Sequence, residues 1–217
     1  MKVTTDACLF GAWVAEQCHK TIKNLLDIGT GTGLLSLMIA QENDCAIDAV
    51  EIDNNAAAEA KENIAASPWK EKISVIEADI TKHRSKKYDC IVSNPPFYER
   101  DLKGPSDGKN IAHHSKELKL SELVRIIENR LNENGIFFLL LPFKRKNEIL
   151  QMMNEAGLFL HILVQVYHSP GHPASRIMIK GGINKITAEE RNVYIKNDQG
   201  EYSSEFVSLL KEYYLYL

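Results

Sequence analysis

Four apolar runs, Asn24 to Ile28, Ala46 to Ile52, Ile73 to Ile76 and Tyr88 to Val92, alternate with segments of helical spacing at Leu34 to Gln41 and Asn55 to Ala66. A strand that reads as a continuous apolar run is buried on both faces. Its regular alternation with helices implies parallel strands joined by right-handed crossovers. The first half of the chain is therefore expected to be doubly wound. Further on, Leu118 to Leu131 has helical period and closes on Asn134-Gly135, and Ile136 to Leu141 is a fifth strand stopped by Pro142. Lys144 to Ala156 predicts another helix with Gly157 at its C-terminal end. Leu158 to Tyr167 and Ala174 to Ile179 read as strands joined by Ser169-Pro170-Gly171-His172-Pro173, too short for a helical crossover, so they must be antiparallel neighbours. Glu205 to Tyr216 predicts a C-terminal helix whose Tyr213, Tyr214 and Tyr216 form a packing face. A chain of 217 residues suits one α/β domain, spanning residues 1–217.

The first strand runs straight into Asp27-Ile28-Gly29-Thr30-Gly31-Thr32-Gly33, which opens the first helix of the alternating series. Glycines there let a ligand approach the backbone and the helix N-terminus closely. Glu51 stands 18 residues after Gly33, at the end of the second run. A carboxylate in that position can accept hydrogen bonds from ribose hydroxyls, the rival reading being a solvated strand end. The spacing is G-x-G-x-G preceded by Asp27 rather than the dinucleotide G-x-G-x-x-G, which argues against NAD. S-adenosylmethionine has no phosphate and carries an ammonium group, so an acidic residue beside the turn makes chemical sense. Asp79, after the third run, is placed to hydrogen-bond an adenine amino group, or else is a turn or cap carboxylate.

Asn94-Pro95-Pro96-Phe97 follows the fourth run. Such dipeptides occur in ordinary turns. This tetrad also gathers an amide, a fixed backbone carbonyl and an aromatic face, the groups needed to hold a flat, amine-bearing molecule. The polar, glycine-containing stretch from Tyr98 to Ser115 lacks periodicity, and so long a loop directly after the tetrad suits a substrate-gripping or lid role.

Taken in order, the Asp27 to Gly33 turn, Val50-Glu51-Ile52-Asp53, Ala78-Asp79 and Asn94-Pro95-Pro96-Phe97 resemble the Rossmann-like, class I S-adenosylmethionine-dependent methyltransferases of the amino-methylating branch. The resemblance covers nearly the whole chain. It implies a mostly parallel seven-stranded sheet with the last strand antiparallel, matching the hairpin inferred above. The opening Lys2-Val3-Thr4-Thr5-Asp6-Ala7 with Leu9-Phe10-Gly11-Ala12-Trp13 is similar to the N-terminal motif of the bacterial tRNA1(Val) (adenine-37-N6)-methyltransferases, where it packs over the methionine end of the cofactor. Ala112-His113-His114 and Ser175-Arg176-Ile177 also resemble segments of that subfamily. Its members carry further residues before this segment, so the chain is expected to begin inside the motif.

The resemblance implies S-adenosyl-L-methionine as cofactor and S-adenosyl-L-homocysteine as product. The implied cofactor residues are Thr5, Asp6, Asp27, Gly29, Gly31, Gly33, Glu51, Ile52, Asp79 and Asn94. Asn94, Pro95 and Phe97 are the implied catalytic residues. The N6 lone pair of adenine is delocalised into the ring and is a poor nucleophile. Accepting hydrogen bonds from both N6–H groups, through the Asn94 side-chain oxygen and the Pro95 carbonyl, aims that lone pair at the methyl group. Phe97 would stack on the base, and an adenine in a single-stranded anticodon loop is cheap to extract.

The substrate expected is tRNA, with adenine 37 of tRNA1(Val) as the target. Lys plus Arg number 26 against 29 Asp plus Glu, a net charge of -3, so RNA contacts must rest on local patches. Candidates are Lys109, His113 and His114 in the long loop and Lys144, Arg145 and Lys146, with Lys82, Arg84, Lys86 and Lys87 a further cluster. Runs of charge are more often solvated faces. No metal is expected, because His113 and His114 have no carboxylate or cysteine at ligand spacing and Cys8, Cys18, Cys45 and Cys90 form no CxxC pair. The absence of a leader or apolar span predicts a cytoplasmic protein with no membrane partner; separately, a monomer is expected. Two alternatives stay open. The same chemistry could act on a guanine N2 of ribosomal RNA or a protein glutamine amide, although the glutamine enzymes more often carry Tyr where Phe97 stands. The chain could also be an NAD-type oxidoreductase or a non-catalytic binding module.

Overall fold

The computed structural model describes residues 3–18, 21–83, 86–95 and 118–216. Helix α1 (Thr5–Gln17) comes first, followed by β1 (Asn24–Ile28), α2 (Leu34–Glu42), β2 (Ala46–Glu51), α3 (Asn54–Ala65), β3 (Ile73–Glu77) and β4 (Tyr88–Ser93). Then follow α4 (Leu120–Arg130), β5 (Leu131–Pro142), a 3-10 turn (Phe143–Arg145), α5 (Lys146–Glu155), β6 (Phe159–Tyr167), β7 (Ala174–Gly182), β8 (Glu189–Tyr194) and α6 (Ser204–Leu210). The strands form one sheet in the order β3-β2-β1-β4-β5-β7-β6-β8. β7 is antiparallel to β5 and β6, and the other pairings are parallel.

Alternate residues of each strand feed two cores. Leu25, Ile47, Cys90, Phe138 and Val166 face one side with residues of α1, α2 and α6. Leu26, Val50, Ile91, Phe137 and Ile177 face the other with residues of α4 and α5. Burial on both faces is why β1, β2 and β4 read as mostly apolar runs, each interrupted by a single aspartate.

The sheet corrects the expectation of seven strands with the last antiparallel. Among the described residues it has eight strands; the antiparallel one is β7, and the last, β8, runs parallel to β6 at the edge. Four of the six residues of β8, from Glu189 to Asn192, are exposed and polar. An edge strand formed by backbone pairing needs no apolar run, and charge on it discourages further pairing. Helix α1 had no legible helical period because it is apolar nearly all round, with Ala7 to Ala15 buried. Gly11 lets it approach α2 closely, since a Cβ there would stand 2.6 Å from Met38 Sδ. The C-terminal helix is shorter than expected, ending at Leu210. Tyr213 and Tyr214 nevertheless pack on the core, Tyr213 donating a hydrogen bond to the Met38 carbonyl at 3.3 Å, whereas Tyr216 is exposed.

Candidate active site

β1 ends at Ile28, and the chain turns through Gly29, Gly31 and Gly33 at φ of 71°, 58° and 86° before α2 begins. This left-handed region is costly for residues with a Cβ, which is the local reason for glycine at these positions. The Gly29 and Thr30 amides both donate to the Val50 carbonyl, at 2.8 and 3.1 Å, hooking the turn onto β2. Space opens above Gly29, where an added Cβ would meet nothing within 4 Å.

Asp27 lies beneath the turn, wholly buried. The Thr30 and Ser36 hydroxyls each donate to its Oδ2 at 2.7 Å. Its Oδ1 has no hydrogen-bond partner among the described residues. Burial pushes its carboxyl up from 3.8 to about 6, against the downward pull of the Thr30 and Ser36 hydrogen bonds. Sequence reasoning missed Thr30 and Ser36, although hydroxyl residues bracketing a glycine turn that follows an acid were a usable signal.

Strand register sets out the remaining residues. Ile28 lies level with Val50 of β2 and Ser93 of β4, and Glu51 lies level with Glu77 of β3. Asp79, Glu51, Gly29 and Asn94 therefore stand in a row along the C-terminal rim of four neighbouring strands. With strands ~4.8 Å apart the row is about 15 Å long. The order reverses between β1 and β4, and a crevice opens there because α2 and α4 pack on opposite faces.

Three amides hold the Glu51 carboxylate. Gly31 donates to Oε2 at 2.8 Å, and Ile52 and Asp53 donate to Oε1 at 2.8 and 2.9 Å. Asp79 receives the Thr81 amide and hydroxyl on Oδ1, at 2.9 and 2.6 Å, and Lys82 Nζ lies 3.5 Å from its Oδ2. The Thr81 hydroxyl, foremost, holds the Asp79 carboxyl below its ordinary value. One oxygen of Asp79 thus serves its own turn, as the rival reading had it. Ser93 locks the end of β4 onto β1 by donating to the Ile28 carbonyl at 2.8 Å, and Asn94, half-buried, and Pro95, buried, follow directly. Phe97, Lys109, His113, His114, Arg84 and the whole Tyr98 to Ser115 stretch lie outside the described residues.

Thr5 and Asp6 form the first turn of α1, capped by Thr4, whose hydroxyl oxygen accepts from the Ala7 amide at 3.3 Å. Asp6 Oδ2 lies 3.1 Å from Arg176 Nε on β7. Thr5 and Asp6 line a cavity of about 310 Å³ shared with His168, Lys196 and Tyr202. Lys144, Arg145 and Lys146 follow β5 at the same rim as Asn94. There Arg145 donates two hydrogen bonds to Glu148, at 2.8 and 2.6 Å, and Lys146 pairs with Glu190 at 3.2 Å. The Lys82-to-Lys87 cluster is not one patch. Lys82 sits by Asp79, whereas Lys86 and Lys87 precede β4, with Lys86 paired to Asp48 at 3.4 Å. Six residues of strand separate them from Asn94, about 20 Å at ~3.3 Å per residue.

The residues fit S-adenosylmethionine better than a dinucleotide. Asp27, Glu51 and Asp79 surround the turn with carboxylates, which would repel a pyrophosphate and attract an ammonium or sulfonium. Open space at Gly29 and the partnerless Asp27 Oδ1 leave room and an acceptor there. Among the described residues no group of His, Cys, Asp or Glu could hold a metal, and no helix is long and apolar enough to cross a membrane. All four cysteines are free thiols.

Known proteins share this fold. Residues 12–156 match the methyltransferase small domain. A solved structure of an Agrobacterium tumefaciens protein described as a predicted O-methyltransferase superposes with a TM-score of 0.70 at 15% identity, covering 97% of this chain and 98% of that one. A glycopeptide N-methyltransferase complexed with S-adenosylmethionine superposes at 0.63 with 9% identity, over 82% and 95% of the two chains. The fold is thus that of class I methyltransferases. Two curated sequences are much nearer, both named tRNA1(Val) (adenine(37)-N6)-methyltransferase. That from Bacteroides fragilis is 37% identical over 219 residues, and that from Dyadobacter fermentans 39% over 224; each match covers 99% of this chain and 91% of the relative. Identity at that level over nearly both full lengths shows that the chain belongs to the tRNA1(Val) (adenine(37)-N6)-methyltransferase family.

Proposed function

We propose that the protein methylates N6 of adenine in tRNA, at position 37 in the anticodon loop of tRNA1(Val), and uses S-adenosylmethionine to do so. The observation that carries the reading is the placement of Asn94 one strand from Gly29, at the point where the sheet order reverses. There an acceptor held after β4 meets a ligand seated on the turn after β1.

When bound, S-adenosylmethionine supplies an electrophilic methyl group on a sulfonium centre. Glu51 receives the ribose hydroxyls on the acceptor capacity its backbone partners leave free, and Asp79 takes the adenine amino group on Oδ2. Asp27 holds the turn in shape from below and places negative charge beneath the cationic end, while Thr5, Asp6 and Ile52 close the pocket. The Asn94 side-chain oxygen and the Pro95 carbonyl accept from the two N6–H groups of the target adenine, favouring a more tetrahedral nitrogen whose lone pair points at the methyl. Phe97 stacks on the extracted base. Held by Asn94 and Pro95, N6 would take the methyl group that the cofactor would supply as its bond to sulfur breaks, and the displaced N6 proton would leave to water. The Ser93 hydrogen bond to Ile28 supports Asn94 by fixing the end of β4. We further infer a cytoplasmic monomer with one methyltransferase domain over residues 1–217.

The test is methyl transfer from labelled cofactor to separate tRNA, ribosomal RNA and protein fractions, followed by nucleoside mass analysis. Labelled N6-methyladenosine in tRNA is the expected product. Label in protein or ribosomal RNA alone would sink the reading.

A further inference from the structure

The C-terminal rim carries a second polar recess beyond the candidate cofactor row. β7 runs opposite to its neighbours and so starts where they end, with Arg176 level with Pro142 of β5 and Val166 of β6. Tyr194 of β8 lies level with Tyr167 of β6. The N-terminus of α1 reaches the same rim through the Asp6–Arg176 pair. Among these elements lies the cavity of about 310 Å³. That volume suits one nucleotide and is far too small for a stretch of duplex.

Its lining has the chemistry of a nucleotide pocket. Lys196 has no carboxylate partner among the described residues, in contrast to Arg145 and Lys146, whose charges are answered by Glu148 and Glu190. His168 is exposed and packs edge-on against His172, with ring centroids 5.5 Å apart. The Tyr202 ring is stacked on the fully buried Phe206, at 4.7 Å and 16°. Tyr202 is therefore anchored, yet it stays 42% exposed where it lines the cavity. The one carboxylate of the lining, Asp6, is neutralised by Arg176. A free ammonium group beside a rigid aromatic ring is the pairing that holds a phosphate and a base of single-stranded nucleic acid.

We propose that this recess binds a nucleotide of the same RNA that carries the target adenine, Lys196 contacting its phosphate and Tyr202 its base. The assignment rests on the reading that tRNA is the substrate. β6 lies three strands from β4 in the sheet, about 14 Å at ~4.8 Å per strand. The bound nucleotide therefore stands a few residues along the loop from the extracted adenine, where it sets which loop can present that adenine to Asn94.

Lys196→Glu, Tyr202→Ala and Tyr202→Phe in the full chain test this by steady-state methyl transfer to tRNA at several salt concentrations, with cofactor titration and thermal melting alongside. Lys196→Glu should raise KM for tRNA roughly tenfold, leave kcat within about twofold and flatten the salt dependence by about one phosphate contact. Tyr202→Ala should raise KM similarly and Tyr202→Phe should restore it, with cofactor affinity unchanged in all three. Unaltered KM and salt dependence in Lys196→Glu would overturn the proposal. So would a loss of cofactor affinity, which would assign the recess to the cofactor through Thr5 and Asp6. A wild-type protein inert toward tRNA would remove the substrate reading and the recess with it, whereas an active wild type with indifferent variants removes the recess alone.

Discussion

Asn94 and Glu51 stand two strands apart on one rim, and their variants should separate the two halves of the reaction. Asn94→Ala is expected to slow methyl transfer on the order of a hundredfold, because a preorganised acceptor is lost. Its cofactor affinity, measured by titration, should hardly move; equal loss of both would contradict the acceptor role. Glu51→Ala should weaken cofactor binding roughly tenfold to a hundredfold, partly by freeing the Gly31 amide that the carboxylate holds. Asp27 has a different signature. Its folded-state carboxyl sits near 6, above the ordinary 3.8, because burial penalises the charge. Protonation is therefore favoured in the folded state. The stability this contributes is fully present below pH 3.8 and is lost as pH rises through about 6. Urea midpoints of the cofactor-free protein should accordingly fall between about pH 4 and 6, and Asp27→Asn should flatten that segment. The acids and glycines were legible from type and spacing. Thr30, Ser36 and Ser93 were not, since a hydroxyl acquires its role only from the partner that folding brings within reach.

At the scale of elements, the glycine turn carries the most risk. Gly29→Ala places a side chain at φ 71° but into open space, so it should cost about 1–2 kcal/mol of stability while closing the cradle to the cofactor. Urea denaturation and cofactor titration would show affinity falling by more than stability explains; a purely structural loss would mean that the space above Gly29 is not used. Strands β1, β2 and β4 were readable because burial on both faces writes a mostly apolar run, broken only by Asp27, Asp48 and Asp89 within them. α1 escaped because burial all round erases the helical period that marks an amphipathic helix. β8 escaped because most of its residues are exposed and polar, and it exists through backbone pairing with β6.

Across the whole molecule, a net charge of -3 leaves RNA binding to the distribution of charge along one rim. Lys86 and Lys87 lie on the opposite rim from Asn94, so replacing both by Ala should change KM for tRNA by less than about twofold, even at low salt where phosphate contacts weigh most. A large rise would mean that the RNA wraps to the far edge. Local chemistry in the sequence was sufficient for the doubly wound order, the glycine turn, the two rim carboxylates and the position of Asn94 and Pro95 at the end of β4, because each depends on neighbours close along the chain. Only the tertiary structure decided that the sheet has eight strands, that Lys82 and Lys86 part company and that Asp6 pairs with Arg176. It alone brought His168, Lys196 and Tyr202 around one recess. Those facts depend on which distant strand ends become neighbours, and strand pairing is made through the backbone, whose hydrogen-bonding groups are the same in nearly every residue.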